Sequence, residues 1–376
     1  MGVTQTDDGV LVTADAARRL ITGMFRKCGS EDYEAKTIAT RLVGANLRGH
    51  DSHGIIRSPR YVEWVDDGKV FPNRKATVEM ENDVIAIVDA QQGFGQTAGE
   101  QAVDIGVAKA KQQGAAIVAL KNSGHLGRIG DWAERAAQSE CASLHMVNVR
   151  GSLLVAPFGG RDRRGSTSPF CLGVPTPDGA IVHDFATSLV AEGKALVALR
   201  GGKPLPEGAL IDEHGQLTAD PSPLYGELNS NRFPDPSKGP GALTGFGLHK
   251  GAGLNFFMEV FAGALTGSGV SKVHGETERR PFANGMLSIY MHVAHFQPVD
   301  TFVEELRGYI EFVKSARPAE EGGEVLIPGE KEHRTMRERE ASGLPLAQQT
   351  WDDIVGKARV VGIGDDEIEA LLNAKD

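Results

Sequence analysis

The stretch IVDAQQGFGQTAGEQAVDIGVAKAKQQGAAIVAL, residues 87–120, decides which fold the sequence predicts. A β-rich apolar run leads into Gly93-x-Gly95-x-x-Ala98, and a helical pattern then continues to Gly114. This order matches the fingerprint of a Rossmann dinucleotide site, where a tight glycine turn brings a pyrophosphate to a helix N-terminus. The other interpretation is a tight turn that packs a helix closely on a sheet of a different kind.

The sequence around this stretch favours the second interpretation. The acidic residue that would bind the ribose is missing, because the strand after the helix ends in Lys121 and Asn122. Helical segments precede the glycines, and no regular alternation of strands and helices follows them. Lys121 keeps the first interpretation open, since a lysine there would suit a 2′-phosphate. We therefore expect a mixed α/β chain in which the glycines form a turn.

The composition is that of a soluble globular protein, with 376 residues of which 40% are hydrophobic and 24% charged. A formal net charge of −10 argues against nucleic acid or an anionic membrane as a partner. The N-terminus lacks a signal-peptide pattern, and no apolar run approaches the ~18 residues of a transmembrane helix. Three widely spaced cysteines indicate a reducing compartment. We expect a cytoplasmic protein.

Hydrophobic periodicity predicts helices and strands along most of the chain. Residues 13–66 predict helices with Thr13 and Ser30 as N-caps, and residues 99–113 predict another. Strands are predicted in ATVEM, DVIAIVDA, AAIVALKN, SLHMVNV, GAIVHDFA and MLSIYMHVAHF, and helices in GDWAERAAQSE, GAGLNFFMEVFAGALTG, VDTFVEELRGYIEFVKSA and DDEIEALLNAK. Residues 201–247 hold 7 of the 18 prolines and predict a long irregular excursion.

Four stretches carry clustered reactive side chains. HDSHGIIRSPRY, residues 50–61, combines serine, histidine and arginine, and a forked guanidinium can bind the carboxylate of a small acid at two points. In NSGHLG, His125 follows a strand in a glycine-rich turn, where an imidazole can exchange a proton near neutral pH. Asp184 in HDFATS can orient a histidine or bind a ribose, and Lys250 in HKGAGL can bind a phosphate or carboxylate. Each stretch also has a structural interpretation, as a capped loop, a helix-capping histidine or a solvated charge.

A metal site is not predicted. His50 and His53 are close in sequence, but no third ligand of standard spacing accompanies them. His292 and His295 are separated by an odd number of residues in a predicted strand, so their side chains should point to opposite faces.

Taken together, these stretches resemble the malate/L-lactate dehydrogenase family, which includes sulfolactate and ureidoglycolate dehydrogenases and differs from the ordinary lactate and malate dehydrogenases. The similar segments run from about residue 14 to 371 and include DSHGIIRSPRY, GFGQ, NSGHLGRIGDWAERAA, VAPFGG, DFATS, LHKGAGL, ALTG and LIPGE. GHDSHGI, PFC and RERE are most similar to the branch with hydroxycarboxylate dehydrogenase B. The resemblance implies an oxidoreductase that uses NAD or NADP and acts on small 2-hydroxy or 2-oxo acids.

The resemblance also implies a fold, a non-Rossmann NAD(P)-binding domain with a largely antiparallel sheet and a helical domain made from both chain ends. The expected N-terminal helical part is 1–75, packing with 300–376. The substrate and catalytic part is expected at 76–140 and the NAD(P)-binding part at 141–299. The glycine fingerprint would then be a turn near the site, and a homodimer is expected.

Residue roles follow from the resemblance by position. His125 would be the acid/base that takes the hydroxyl proton as hydride leaves the same carbon, and Asp184 is the second catalytic candidate. Arg57 would bind the substrate carboxylate. The other expected substrate-binding residues are Arg48, Ser52, His53 and Tyr61. The expected cofactor-binding residues are Asn148, Asp184, Phe185, Ala186, His249, Lys250, Pro328, Gly329 and Glu330.

Three departures from the family pattern bear on these roles. Arg57 fits the wider family but not the branch with hydroxycarboxylate dehydrogenase B, which puts the identity of the acid in doubt. Ser168 in STSP stands where the family usually has the asparagine of Gly-Thr-Asn-Pro, which puts a polar contact in doubt. The segment at about 222–240 looks longer than in relatives and would be a lid, a dimer contact or a surface insertion. Two other functions stay open: reduction of cyclic imino acids such as piperideine- or pyrroline-2-carboxylate, and cofactor or metabolite binding without catalysis.

Overall fold

The computed structural model describes residues 2–199, 204–227, 234–271 and 282–374. Its strands are β1 Val3–Thr6, β2 Gly9–Val12, β3 Thr77–Glu81, β4 Ile85–Asp89, β5 Ala115–Ser123, β6 Cys141–Arg150, β7 Pro169–Thr176, β8 Gly179–Ala186, β9 Leu210–Ile211, β10 Leu217–Thr218, β11 Ala242–Leu243, β12 Ala283–His292 and β13 Leu344–Ala347. Its helices are α1 Ala14–Lys27, α2 Asp32–Leu47, α3 Ser58–Asp66, α4 Gly95–Gln113, α5 Gly130–Ala137, α6 Glu192–Leu199, α7 Ser222–Tyr225, α8 His249–Met258, α9 Val299–Lys314, α10 Glu330–Ser342, α11 Gln348–Val360 and α12 Asp365–Asn373. Of the helices in these ranges, none is both long and apolar enough to cross a membrane.

A seven-stranded sheet in the order β3-β4-β5-β12-β6-β7-β8 forms the body of the molecule. β4 and β5 run parallel, while every other neighbouring pair in this sheet is antiparallel. The predicted mixed α/β class with a largely antiparallel sheet is thereby confirmed. A Rossmann fold instead needs a mostly parallel, doubly wound sheet, and the described strands do not form one.

The glycine fingerprint lies at the turn from β4 into α4, and this helix begins at Gly95 rather than at the predicted residue 99. The turn is closed by the chain itself, because the backbone N–H of Gly124 donates to the carbonyl oxygen of Gly93 at 2.8 Å. A Cβ atom on Gly95 would lie 2.2 Å from the carbonyl oxygen of His125. The glycines therefore allow the turn after β5 to pack against the first turn of α4.

Helices cover both faces of the large sheet. On one face α4 and α5 bury an apolar cluster that includes Val103 and Trp132 together with Tyr290 of β12. On the other face, α8 and the π-helical segment Glu259–Leu265 that continues it pack on the sheet through Met258 and other apolar side chains. The sheet that carries the β5–α5 turn is thus packed on both faces.

The two chain ends pack together, as expected for the helical part. β13 from the C-terminal region pairs with β2 in the small sheet β1-β2-β13. Side chains of α1 and α2, such as Phe25 and Leu42, share one apolar cluster with Trp351 and Ile354 of α11. The three-part domain division stays a prediction, and the large sheet crosses its boundary at residue 140 because β12 lies between β5 and β6.

One of the two predicted helix caps is confirmed. The Thr13 hydroxyl accepts a hydrogen bond from the backbone N–H of Ala16 at 3.3 Å and caps α1. The prediction of Ser30 as the cap of α2 is wrong, because Glu31 occupies the N-cap position. The Ser30 hydroxyl instead donates to the carboxylate of Glu34 at 2.7 Å.

The predicted irregular excursion at 201–247 is confirmed in part for the residues described there, 204–227 and 234–247: most are irregular, but short strands and an apolar core interrupt them. β9, β10 and β11 form a three-stranded sheet in the order β10-β9-β11. An apolar cluster that includes Leu210 and Tyr225 lies beneath it. Frequent prolines and very short strands hid this unit from periodicity. Parts of the predicted excursion and of the 222–240 segment, 201–203 and 228–233, lie outside the described residues.

The prediction for His292 and His295 is also wrong. β12 ends at His292 and a 3-10 turn, Val293–His295, follows at once. The two Nδ1 atoms therefore lie 3.0 Å apart, since strict alternation of side chains applies only within a strand. β7 is a further strand that the sequence does not predict, because two prolines and a glycine interrupt its pattern.

Candidate active site

His125 lies in the turn that connects β5 to α5, where its half-buried side chain is held by two other segments. Its Nδ1 atom shares a hydrogen bond of 2.6 Å with the hydroxyl of Tyr61 on α3. Gln96, in the first turn of α4, donates to the Tyr61 hydroxyl oxygen at 3.1 Å and to the His125 carbonyl oxygen at 3.2 Å. The ring and backbone of His125 are thus oriented together, which leaves Nε2 as the nitrogen available for chemistry.

The surroundings of His125 keep its imidazole neutral. Burial lowers the pKa of His125 to about 3, and the positive charge of Arg57 contributes to the same shift. Burial also raises the pKa of Tyr61, so that its hydroxyl stays protonated at neutral pH. A neutral imidazole can accept a proton, and its low pKa depends in part on a charge that a bound anion would offset.

The predicted cluster in residues 50–61 does reach His125. Two 3-10 turns, Asp51–His53 and Ile55–Arg57, lead from α2 into α3 and place the His53 ring parallel to that of His125, with centroids 5.6 Å apart. The Ser52 hydroxyl lies 3.1 Å from Nδ1 of His53. Arg57 donates from Nε to the Ser52 carbonyl oxygen at 2.5 Å, which leaves its two Nη atoms directed elsewhere.

Arg48, expected in the substrate pocket, belongs to a charge network between α2 and α5. It pairs with Glu134 through Nε at 2.9 Å and Nη2 at 2.7 Å. Glu134 also accepts from Arg128 at 2.8 Å, and Arg128 binds Asp131 at 2.9 Å. Although burial opposes it, the two guanidinium groups lower the pKa of Glu134. We call these four residues the α5 charge network.

Asp184 contacts the end of the β5–α5 turn that contains His125. Its Oδ2 atom accepts from the backbone N–H of Gly130 at 2.8 Å, where α5 begins. Gly329 lies beside the same strand, because a Cβ atom there would be 3.4 Å from the backbone nitrogen of Val182. The LIPGE segment therefore packs on β8 at Val182, two residues before Asp184.

The remaining residues of these two segments make contacts within the protein. Phe185 makes edge contacts with the rings of Phe170 and Phe246, at centroid distances of 5.9 and 5.6 Å. Ala186 pairs with Pro169 at the end of the β7–β8 ladder. Pro328 directly precedes Gly329, and Glu330 opens α10 with an ion pair to Lys314.

His249 and Lys250 begin α8 beside a cavity of about 630 Å³. Both side chains are exposed, and the His249 ring lies 5.8 Å from the ring of Phe158. The cavity lies between the VAPFGG segment, the three-stranded sheet and the start of α8, and its lining is Ala156, Pro157, Phe158, Gly159, Gly160, Arg161, Ile211, Gly215, Leu217, Thr244, Gly245, Leu248 and Ala252.

Asn148 and Ser168 both contact Glu259 of the π-helical segment. Asn148 is buried, and its Nδ2 donates to Glu259 at 3.2 Å and to the Gly269 carbonyl oxygen at 3.0 Å. Ser168 lies 3.5 Å from Glu259 through its hydroxyl and has a φ of +27°, a region that asparagine enters more readily than serine. Both residues hold the π-helical segment to the sheet.

The two histidines of the HDSH segment have different partners. His50 lies 3.5 Å from a carboxylate oxygen of Glu332 on α10, whereas His53 stacks on His125. Across the four described ranges, no group of three or more histidine, cysteine or acidic side chains is arranged to hold a metal ion.

Sequence reasoning missed two residues of this site, Gln96 and Glu192. Gln96 belongs to the GFGQ segment, but its contact with Tyr61 depends on the packing of α4 against the β5–α5 turn. Glu192 begins α6, and its Oε2 atom lies 3.9 Å from Nη2 of Arg57. No local pattern links residues so far apart in the chain, so neither contact had a sequence signal.

Known proteins are similar to this chain in sequence and in fold. A family model described as malate/L-lactate dehydrogenase matches residues 12–355. The chain belongs to the malate/L-lactate dehydrogenase family. It is 38% identical over 370 residues to hydroxycarboxylate dehydrogenase B of Escherichia coli O157:H7, covering 97% of this chain and 98% of that one. The predicted family is confirmed.

Solved structures of the family have the same fold. Malate dehydrogenase from Pyrococcus horikoshii OT3 has a TM-score of 0.83 at 29% identity, covering 97% of this chain and 99% of that one. Δ1-piperideine-2-carboxylate reductase from Pseudomonas syringae pvar. tomato has a TM-score of 0.78 at 26% identity, covering 94% and 100%. The protein is thus an oxidoreductase of a family of hydroxycarboxylate dehydrogenases, and the family implies a nicotinamide cofactor and a small-molecule substrate.

Proposed function

We propose that the protein moves hydride between NAD(P)H and a small 2-oxo acid, with His125 as the acid/base. The observation that carries this proposal is the hydrogen bond of 2.6 Å between Tyr61 and Nδ1 of His125, next to the guanidinium of Arg57. It combines an oriented, neutral imidazole with a group that binds carboxylates. When bound, the nicotinamide cofactor accepts or supplies the hydride.

His125 handles the proton in both directions. In oxidation, its Nε2 atom takes the hydroxyl proton of the 2-hydroxy acid as the carbonyl forms. For Nε2 to accept, the neutral ring carries its own proton on Nδ1, which donates to the Tyr61 oxygen; this oxygen also accepts from Gln96 at 3.1 Å. In reduction, the protonated ring returns the proton from Nε2 to the nascent alkoxide.

Arg57 couples substrate binding to this proton transfer. Burial is the larger cause of the low pKa of His125, and the charge of Arg57 is the second. A substrate carboxylate on the Nη atoms of Arg57 would offset that charge and raise the pKa of His125 from about 3. Binding of the 2-oxo acid thereby favours the protonated ring that reduction needs.

The other predicted residues either contact His125 or hold the segments around it in place. Ser52 and His53 line the substrate side, where the His53 ring stacks on His125. Arg48 and Asp184 act as positioning residues, because one is tied to Glu134 and the other to the start of α5. We assign Asn148 a supporting role, since its amide is used by Glu259 and Gly269.

The cavity beside α8 has the dimensions and chemistry of a place for the cofactor. Its volume of about 630 Å³ falls within the roughly 300–1,000 Å³ of small-molecule sites. Glycines 159 and 160 remove side-chain bulk from its rim, and Lys250 at the first turn of α8 supplies a cation for a phosphate. Phe185, Ala186 and the 328–330 segment would hold the cofactor on the β8 side.

A homodimer is the assembly we propose, and α9 supports it. This helix is amphipathic, yet none of its residues is buried. Tyr309 and Phe312 are 65% and 73% exposed. Clustered exposed aromatic side chains on one helix are typical of an interface, and a second copy of the chain would cover them. We also propose that the protein is cytoplasmic and uses either NAD or NADP.

Reduction of cyclic imino acids is the second candidate function. It is favoured by the fold shared with Δ1-piperideine-2-carboxylate reductase. An imino acid also carries one carboxylate and one atom that needs a proton, so Arg57 and His125 would serve it equally. Binding without catalysis is the third candidate, because Ser168 departs from the family pattern.

The test follows oxidation of NADH and of NADPH by the purified protein with a panel of 2-oxo acids and cyclic imino acids. Turnover of 2-oxo acids supports the proposal, whereas turnover of imino acids alone would favour the second candidate. Cofactor binding without turnover of any compound would favour the third. The panel is repeated with His125→Asn. His295→Asn is its matched control, because His295 is exposed and lies at the opposite end of α4 from His125.

A further inference from the structure

Glu192 places a negative charge beside the arginine that binds the substrate. Its Oε2 atom lies 3.9 Å from Nη2 of Arg57, and the two side chains are only 17% and 29% exposed. Arg57 already uses Nε on the Ser52 carbonyl oxygen, so its Nη atoms are the ones that a carboxylate would approach. Any substrate anion on Arg57 must therefore come close to Glu192.

Glu192 cannot easily swing away from this position. Its Oε1 atom accepts a hydrogen bond of 2.9 Å from the hydroxyl of Tyr225. The first turn of α6 also packs tightly on the 3-10 turn Asp51–His53, because a Cβ atom on Gly193 would lie 2.5 Å from Cβ of Ser52. The carboxylate is thus fixed at one oxygen and faces Arg57 with the other.

Tyr225 is itself held firmly by the unit that contains the three-stranded sheet. It ends α7, is 1% exposed and belongs to the apolar cluster of that unit. Arg163 ties the same segment down by donating to the carbonyl oxygens of Leu224 at 2.9 Å and Gly239 at 2.7 Å. This unit, described at residues 204–227 and 234–247, therefore contacts the proposed substrate site through Tyr225 and Glu192.

We infer that Glu192 makes the site selective for 2-oxo and 2-hydroxy acids that carry a single carboxylate. This inference rests on the proposed function, because it takes Arg57 as the carboxylate anchor. Glu192 already offsets the charge of Arg57. One substrate carboxylate therefore leaves the three groups with a net charge of −1, and a second anionic group would make it −2. Like charges about 6 Å apart in a partly buried site would weaken binding between about tenfold and a hundredfold.

The experiment compares two isosteric pairs. Oxaloacetate and 2-oxosuccinamate, in which an amide replaces the C4 carboxylate, give the ratio of kcat/KM. Succinate and succinamate, which have no reactive carbonyl, give the ratio of Kd for the cofactor-loaded protein. Both ratios are measured for the wild type, Glu192→Gln, Glu192→Asp and Tyr225→Phe. Glu207→Gln is the matched control, since Glu207 is an exposed acid in the same unit.

We expect the wild type to prefer each monoanion at least tenfold, and Glu192→Gln to remove most of that preference. Glu192→Asp should restore it, Tyr225→Phe should reduce it, and Glu207→Gln should not change it. The same preference in wild type and Glu192→Gln, or a wild-type preference for the dianion, would overturn the inference. Because succinate and succinamate are not turned over, their Kd ratio tests Glu192 even if no oxo acid reacts, an outcome that would contradict only the proposed dehydrogenase function.

Discussion

Two groups of polar side chains are centred on one short segment, HLGRIGDWAE at residues 125–134, and they differ in how their charges are balanced. In the α5 charge network, Arg48 and Arg128 balance the carboxylates of Asp131 and Glu134 at distances of 2.7 to 2.9 Å. His125, three residues before Arg128, has a tyrosine as partner and a positive charge nearby. Its charged form is therefore disfavoured, while every charge of the network has an opposite partner.

This difference separates structural from functional polar groups. A compensated network holds α5 in place and has no capacity left for a ligand. An imidazole that is oriented at one nitrogen and kept neutral by burial and a nearby positive charge can take up a proton when an anionic ligand arrives. The first kind should appear in measurements of stability, and the second in measurements of activity.

The largest expected effect is on stability, from Arg128→Met. Its side chain is 2% exposed, and its removal leaves two buried carboxylates without their main cation. We expect a loss of about 3–5 kcal/mol in the free energy of unfolding, measured by urea denaturation. Arg164→Met, which breaks an exposed ion pair, should cost less than about 1 kcal/mol. A similar small loss for Arg128→Met would contradict the structural role of the network.

The second effect is on activity, from Arg57→Gln. Loss of the carboxylate anchor should lower kcat/KM for 2-oxo acids by about 10²- to 10³-fold, mostly through KM. The variant should also raise the pKa of His125, since the charge of Arg57 helps to lower it. Arg60→Gln, on the exposed side of α3, is the control that should leave kcat/KM within about twofold. Equal losses in the two variants would remove Arg57 from the substrate site.

The third effect is on the pH dependence of stability, and it comes from His145, a histidine whose pKa is lowered by burial without a charged neighbour. Burial alone lowers the pKa of His145 to about 3, whereas His125 also has Arg57 nearby. Because the unfolded chain binds more protons between pH 6.5 and 3, stability is present above pH 6.5 and is lost as pH falls. His145→Asn should reduce the loss of stability between pH 7.5 and 5.0 by about 2 kcal/mol. An unchanged loss, measured by urea denaturation at both pH values, would mean that His145 titrates normally.

The smallest effect is expected from Tyr61→Phe. The change removes one hydrogen bond to His125 and leaves the ring packing in place. We expect kcat to fall about tenfold, with little change in the Kd of the cofactor. Steady-state kinetics and cofactor titration measure the two quantities. A change in cofactor Kd with kcat preserved would place Tyr61 in cofactor binding instead.

The sequence predicts the parts of the site that are local. His125 follows from a strand, a glycine turn and a helix in succession, and Ser52, His53 and Arg57 lie within six residues of one another. Both groups do meet in the structure. The contact of Glu192 with Arg57 and that of Gln96 with Tyr61 were not predictable, because they depend on how distant segments pack.

The same limit applies to the fold. Periodicity indicates β4, α4 and β5 in order, but it cannot show that β12 lies between β5 and β6. The glycine fingerprint likewise predicts a tight turn, which is confirmed, without saying what fills it. In this chain the backbone of residues 124 and 125 occupies that place. The glycine motif determines the local backbone conformation, and the packing around it determines whether a ligand or the protein's own backbone contacts the turn.

The most direct test of the central claim is the single-turnover rate of NAD(P)H oxidation by His125→Asn, compared with the wild type after both are loaded with cofactor. Asparagine keeps a polar group of similar size but cannot transfer the proton. We predict a rate about 10²- to 10⁴-fold lower, with the Kd of the cofactor and the stability nearly unchanged. A variant that binds cofactor and reduces the 2-oxo acid at the wild-type rate would contradict His125 as the acid/base.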